Sequence, residues 1–210
     1  MNMRIPRNAT IVISALTALA WLIAVAIGAT DQAAATMGFI PARLSGLLDQ
    51  SPAVPAVLTP LSATLVHGGL LHLVLNLLML VWCGTAVERV LGRGALLLLY
   101  VVGAYAAAAA QWLADPASTV PVIGASGAIS AVIGAYALSF GEAKRVTRSA
   151  WFNRLLNAAW LLAAWVVMQM LIGWLAGGQG LLLATPAHVG GFLAGLLLQR
   201  PLLLWRYRGA

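Results

Sequence analysis

Four polar side chains in this chain have the types and spacing for acyl-transfer chemistry: Ser126, His188, and the pair His72 and Asn76. Ser126 stands in Gly124-Ala125-Ser126-Gly127 at the head of a short apolar stretch. A serine hydroxyl is a weak nucleophile until a neighbouring base takes its proton, and His188 is the candidate base. His72 and Asn76 are four apart, so on a helix they share a face and can aim donors at one oxyanion. The Ser126 amide and Gly124 complete the candidate oxyanion site. This chemistry calls for no metal or cofactor. Each residue alone also has a structural reading. Ser126 can be a small residue admitting a close helix, His72 and Asn76 can be interhelical hydrogen-bond donors, and His188 beside Pro186 can be an interfacial cap.

The elements that must position these groups are membrane helices. The chain is 62% hydrophobic and 8% charged, far from the usual quarter charged of soluble domains. Apolar runs near 20 residues recur along it, and the alternating ten-residue segments of a barrel are missing, so the class is all-α and polytopic. The net charge of +7 comes from basic residues scattered singly between apolar runs, which sets topology and argues against nucleic-acid binding. The lone Cys83 sits in an apolar run and reads as a small buried hydrophobe.

Six spans are expected, at about 10–29, 68–87, 94–112, 126–140, 155–175 and 187–204, forming one domain over 10–205. Residues 1–9 and 206–210 flank it as polar ends. The first span could be a signal peptide, but its length favours a retained helix. Residues 30–61 read as a partly buried functional loop, with Glu88, Arg89, Gly92 and Arg93 as a tight polar turn. On six spans, eleven of the twelve Lys and Arg residues fall on the side shared by the termini, Arg43 alone on the other. The positive-inside rule then puts both termini in the cytoplasm of a multi-pass protein of the cell (plasma or inner) membrane.

On that topology Ser126, His188, His72 and Asn76 come from three helices yet share the outer leaflet. Buried polar groups there cost free energy unless paired, and they mark function. Both Ser126 and His188 begin helices, whose positive ends favour a neutral imidazole and developing negative charge. Asp31, Asp49 and Asp115 lie in loops, so a Ser–His dyad is expected rather than a triad. The span 126–140 rises about 22 Å against a hydrocarbon core of about 30 Å, which submerges Ser126. Gly127, Ala131 and Gly134 on one helix, with Gly191 and Gly195 on another, would let the serine and histidine helices meet.

These residues resemble the rhomboid intramembrane serine proteases. HGGLLHLVLN (67–76), AVERVLG (86–92), GASG (124–127) and AHVGGFLAG (187–195) stand in the family's order, over about 58–204. The resemblance implies Ser126 as nucleophile, His188 as base, His72 and Asn76 in the oxyanion hole, and His67 in a structural role. It also implies the minimal six-helix bacterial-type form. Two features depart from the family. Ser130 stands where an aromatic often packs on the catalytic histidine, and the first loop has no Trp-Arg pair. The sequence therefore names no packing partner for His188.

The implied activity is cleavage of single-span transmembrane proteins in the lipid bilayer near its outer face, for which a monomer suffices. A transmembrane helix must unwind to expose its peptide bond, so small or helix-breaking residues are expected near the cut. Water is expected to enter from outside beneath the 114–122 and 177–186 loops. The fifth span, with Trp160, Trp165, Trp174 and Gln169, is expected to face lipid loosely and to admit substrate. Competing readings are an inactive relative that binds transmembrane helices, and a transporter, for which the expected repeats are missing.

Overall fold

The computed structural model describes residues 8–140, 146–175 and 185–209. The expected positions Glu142, Lys144, Arg145, Gly177, Gly178 and Gly180 lie outside the described residues, as do the side chains of Gln169 and Trp174. Among the described residues the fold is all-helical. In chain order it has α1 (Ala9–Ala26), α2 (Thr30–Met37), α3 (Pro41–Leu44), α4 (Thr59–Ser62), α5 (Leu70–Leu91), α6 (Arg93–Ala114), α7 (Ser126–Phe140), α8 (Ala150–Leu175) and α9 (Thr185–Arg206). α1, α5, α6 and α9 are long and apolar enough to cross a membrane. Their outward faces carry Leu16, Leu22, Trp82 and Leu197, all exposed, as suits an apolar solvent.

α7 is the axis of the bundle. Ten of its 15 residues are buried, and α5, α6, α8 and α9 all pack against it. Lipid supplies no hydrophobic drive between helices, so tight contact must come from small residues that let backbones approach. A Cβ added at Gly195 would collide with the Ala131 carbonyl, one at Gly191 with the Gly127 carbonyl, and one at Gly134 with the Phe192 carbonyl. Residues 191 and 195 thus face 127 and 131, each pair four apart and one turn deep. Gly127 meets the Ala107 methyl on α6, and Gly190 meets Ala106 and Ala110. Three helices meet with almost no side-chain bulk between them.

Several expected boundaries move. The helix expected to end near Val87 continues to Leu91, where Gly92 at φ +89° breaks the chain before α6. Glu88 is therefore on a helix, and its carboxylate accepts from Ala9 N at 2.8 Å, Thr10 N at 3.0 Å and Thr10 Oγ1 at 2.7 Å. These are the orphan donors at the start of α1, capped from a neighbouring helix as well as by Asn8. α8 starts at Ala150 rather than Leu155, because Asn153 accepts from Thr147 N at 2.9 Å and Ser149 Oγ accepts from Phe152 N at 3.3 Å.

Residues 30–65 are not a plain loop. They fold into α2, α3, α4 and short 3-10 turns at the end of the bundle where α7 begins. A two-stranded bridge clamps them there: Phe39 N donates to Val122 O at 3.0 Å and Val122 N to Phe39 O at 2.8 Å. Trp112 Nε1 donates to Ser45 Oγ, which donates to Pro116 O, both at 2.8 Å.

Hydrogen bonds to a charged group contribute roughly 1.5–3 kcal/mol, so Glu88→Ala should lower unfolding stability by about 2 kcal/mol. Denaturation in lipid or detergent measures this, and a variant as stable as the parent would contradict the capping role.

Candidate active site

Three helices, α5, α7 and α9, deliver the candidate groups. α7 opens on Ser126, so the amides of its first turn have no intrahelical acceptor. α9 opens two residues before Ala187 and carries His188 in its first turn. The close approach of α7 and α9 brings these side chains together: His188 Nε2 lies 2.8 Å from Ser126 Oγ. Both residues are buried, Ser126 at 6% and His188 at 4% exposure. Among the described residues no carboxylate is hydrogen-bonded to His188. No group of three His, Cys, Asp or Glu among them is placed to hold a metal ion.

His72 and Asn76 sit in the first two turns of α5. The backbone of Gly124 brings His72 near: φ is +106°, and an added Cβ would stand 2.7 Å from both Cε1 and Nε2 of the imidazole. Only glycine combines that left-handed backbone with that ring contact. Gly124 is expected in the oxyanion site, and its amide donates to Ala63 O at 2.9 Å. Its contribution is therefore the space it leaves for His72. Asn76 is buried, and its Nδ2 donates to His72 O at 2.9 Å, leaving a second N–H on the same nitrogen. His67 lies under His72, ring centroids 4.9 Å apart, and its carbonyl accepts from Trp21 Nε1 at 3.1 Å.

A cavity of about 30 Å³ adjoins Ser126 and His188, walled by Phe39, Ala63, Val122 and Gly127 among others. About 10–15 Å³ suffices for one water, so the space admits water beside the pair. His72 and Asn76 are not on this wall.

Sequence reasoning missed Trp165. Expected to face lipid on α8, it is 3% exposed, whereas Trp160 on the same helix is 69% exposed. Trp165 Nε1 donates to Ser130 Oγ at 2.8 Å, and Ser130 Oγ donates to Ser126 O at 2.7 Å. Its ring meets that of His188 edge-on, with centroids 6.2 Å apart at 67°. The signal available was Ser130 itself, a buried hydroxyl where an aromatic had been expected.

The Rhomboid domain family matches residues 56–205. RHOMBOID-like protein 5 of Arabidopsis thaliana is 29% identical over 144 residues, covering 69% of this chain and 43% of that protein. Rhomboid protease GluP of Bacillus subtilis (strain 168) is 40% identical over 79 residues, covering 38% of this chain and 14% of that protein. Each match takes in less than half of the relative's own length. The matched region holds His72, Asn76, Ser126 and His188, and the chain, an integral membrane protein, belongs to the rhomboid family.

Proposed function

We propose that this protein is an intramembrane serine endopeptidase that cleaves transmembrane segments near the outer face of the cell membrane. One observation carries the reading: a hydroxyl and an imidazole from separate helices lie 2.8 Å apart in a buried site. Membership of a family that includes a protein named as a protease supports it. In this reading α1, α5, α6, α7, α8 and α9 are six spans with cytoplasmic termini, supported by the eleven-to-one placement of basic residues.

The chemistry follows from the geometry. Ser126 Oγ attacks the carbonyl carbon of an unwound substrate segment while its proton passes to His188 Nε2. The carbonyl oxygen gains the negative charge, and His72, the free N–H of Asn76 and the Ser126 amide stabilise it. Collapse breaks the C–N bond, and His188 gives its proton to the leaving amine. A water from the adjoining cavity then attacks the acyl group, again losing its proton to His188; collapse breaks the bond from the acyl carbon to Ser126 Oγ, His188 returns the proton to that oxygen, and the carboxylic acid departs. Single-span proteins with small or helix-breaking residues near the outer boundary are the fitting substrates, because such segments unwind at least cost.

The test is purified protein incubated with a fluorophosphonate and, separately, a labelled transmembrane substrate. Ser126→Ala should abolish both phosphonylation and cleavage, and His188→Ala should slow cleavage by at least about 10³-fold. A protein that takes no label and cuts nothing would be a helix-binding relative instead, and cleavage surviving both changes would refute the site. His72→Ala and Asn76→Ala should each cost roughly 10²-fold in kcat with the fold retained. Gly124→Ala should match them, since the new methyl displaces the His72 ring; unaltered kcat in that variant would remove His72 from the site. A covalent tether between α8 and α5 should stop substrate cleavage yet leave phosphonylation by the small probe intact. Cleavage at the parent rate would show that substrate enters elsewhere.

A further inference from the structure

The base in this site has no carboxylate partner among the described residues, so something else must fix the plane of its ring. In a triad the carboxylate does this by holding the imidazole in one orientation. A single hydrogen bond at Nε2 fixes one edge only, and the last side-chain torsion of a histidine has broad wells. Among the described residues the one aromatic ring found against His188 belongs to Trp165 on α8.

We propose that Trp165 is a positioning residue, which holds the His188 imidazole against Ser126 and so makes the reactivity of the pair depend on α8 being docked. This inference rests on the protease reading above and extends it. Trp165 is pinned to the turn that carries the nucleophile, through its indole N–H to Ser130 Oγ and the Ser130 hydroxyl to Ser126 O. Serine is fitted to that place. Its hydroxyl donates once and still accepts, and its small side chain leaves on α7 the volume that the indole fills from α8. A buried indole N–H without that acceptor would be left unsatisfied, so the two residues function as a matched pair.

The consequence lies in where Trp165 sits. Among the described residues α8 buries Asn153, Ala158 and Trp165 and packs Leu161, Leu162 and Met168 part-buried on the core, while Trp160, Val167 and Leu171 on the same helix face outward. Of these docked side chains, Trp165 is the one whose ring also meets the base. An outward displacement of α8 withdraws the indole and frees the imidazole to turn. A substrate that enters past α8 is then cut only once the helix has returned, which couples closure to chemistry.

The experiment uses the full chain with four changes: Trp165→Ala, Trp165→Phe, Ser130→Ala, and Ser130→Phe combined with Trp165→Ala. Phosphonylation rate, kcat, KM and melting temperature are measured for each. Aromatic edge contacts are modest, so Trp165→Ala should slow phosphonylation and kcat by about tenfold, with KM not raised. Trp165→Phe keeps a ring edge and should stay within about threefold of the parent. The double variant restores an aromatic from α7 and should recover most of the loss. Ser130→Ala should fall between the parent and Trp165→Ala.

Two results overturn the proposal. Trp165→Ala reacting with the probe at the parent rate while cutting substrate faster would make Trp165 only a latch on α8. Equal losses in all four variants, tracking a lowered melting temperature, would make it only a packing residue. If the unsubstituted protein takes no label, the protease reading itself fails, and that silence is distinct from either pattern.

Discussion

Backbone-to-backbone contact between α7 and α9 is the constraint on which the rest of this molecule depends. Gly191 and Gly195 present bare Cα atoms to the carbonyls of Gly127 and Ala131, and Gly134 does the same to Phe192. In lipid the gain from such a contact is dispersion and weak Cα–H···O attraction, both of which vanish within an ångström or so of separation. The histidine lies three residues before Gly191 and the serine one before Gly127, so the contact sets their distance directly. No loop has to be trusted with that task.

The remaining elements keep the pair buried and covered. α7 is only 15 residues long, its first residue is the serine, and that hydroxyl lies inside the bundle. The 30–65 segment is bonded to the chain just before α7 through Phe39 and Val122, and Ala63 holds the Gly124 amide. That last bond fixes the glycine whose φ lets His72 come close. At the other end of the bundle, Glu88 ties the start of α1 to α5. Polar bonds thus appear at both ends, while between them glycine and alanine contacts of α7 with α6 and α9 lie among large apolar side chains such as Leu80, Leu99, Ile129 and Phe192.

Much of this was legible from residue types. A serine, two histidines and an asparagine in an apolar chain stand out because each must find a partner there, and the expected order of spans assigned them to one leaflet. The small-residue spacing on α7 and α9 announced the close contact of those two helices. Trp165 carried no such contrast, since a tryptophan in an apolar helix reads as lipid-facing until its neighbours are seen. Glu88 was hidden for the opposite reason: a charge beside Arg89, Gly92 and Arg93 reads as part of a polar turn, and its donors lie on α1, 78 and 79 residues away. The bond from the Gly124 amide to Ala63 has no trace in sequence. The short helices over 30–65 escaped because none is long enough to show a period.

The central claim is that glycine-mediated contact of α7 with α9 makes Ser126 reactive. Its most direct test is the rate of Ser126 phosphonylation in lipid for Gly195→Ala and Gly195→Val, with Leu197→Val on the exposed face of α9 as control. The account predicts a graded loss, reaching about 10²-fold at valine, as expected for a misplacement near 1 Å, with the control unchanged. Phosphonylation at the parent rate in Gly195→Val, with the helices still inserted, would contradict it.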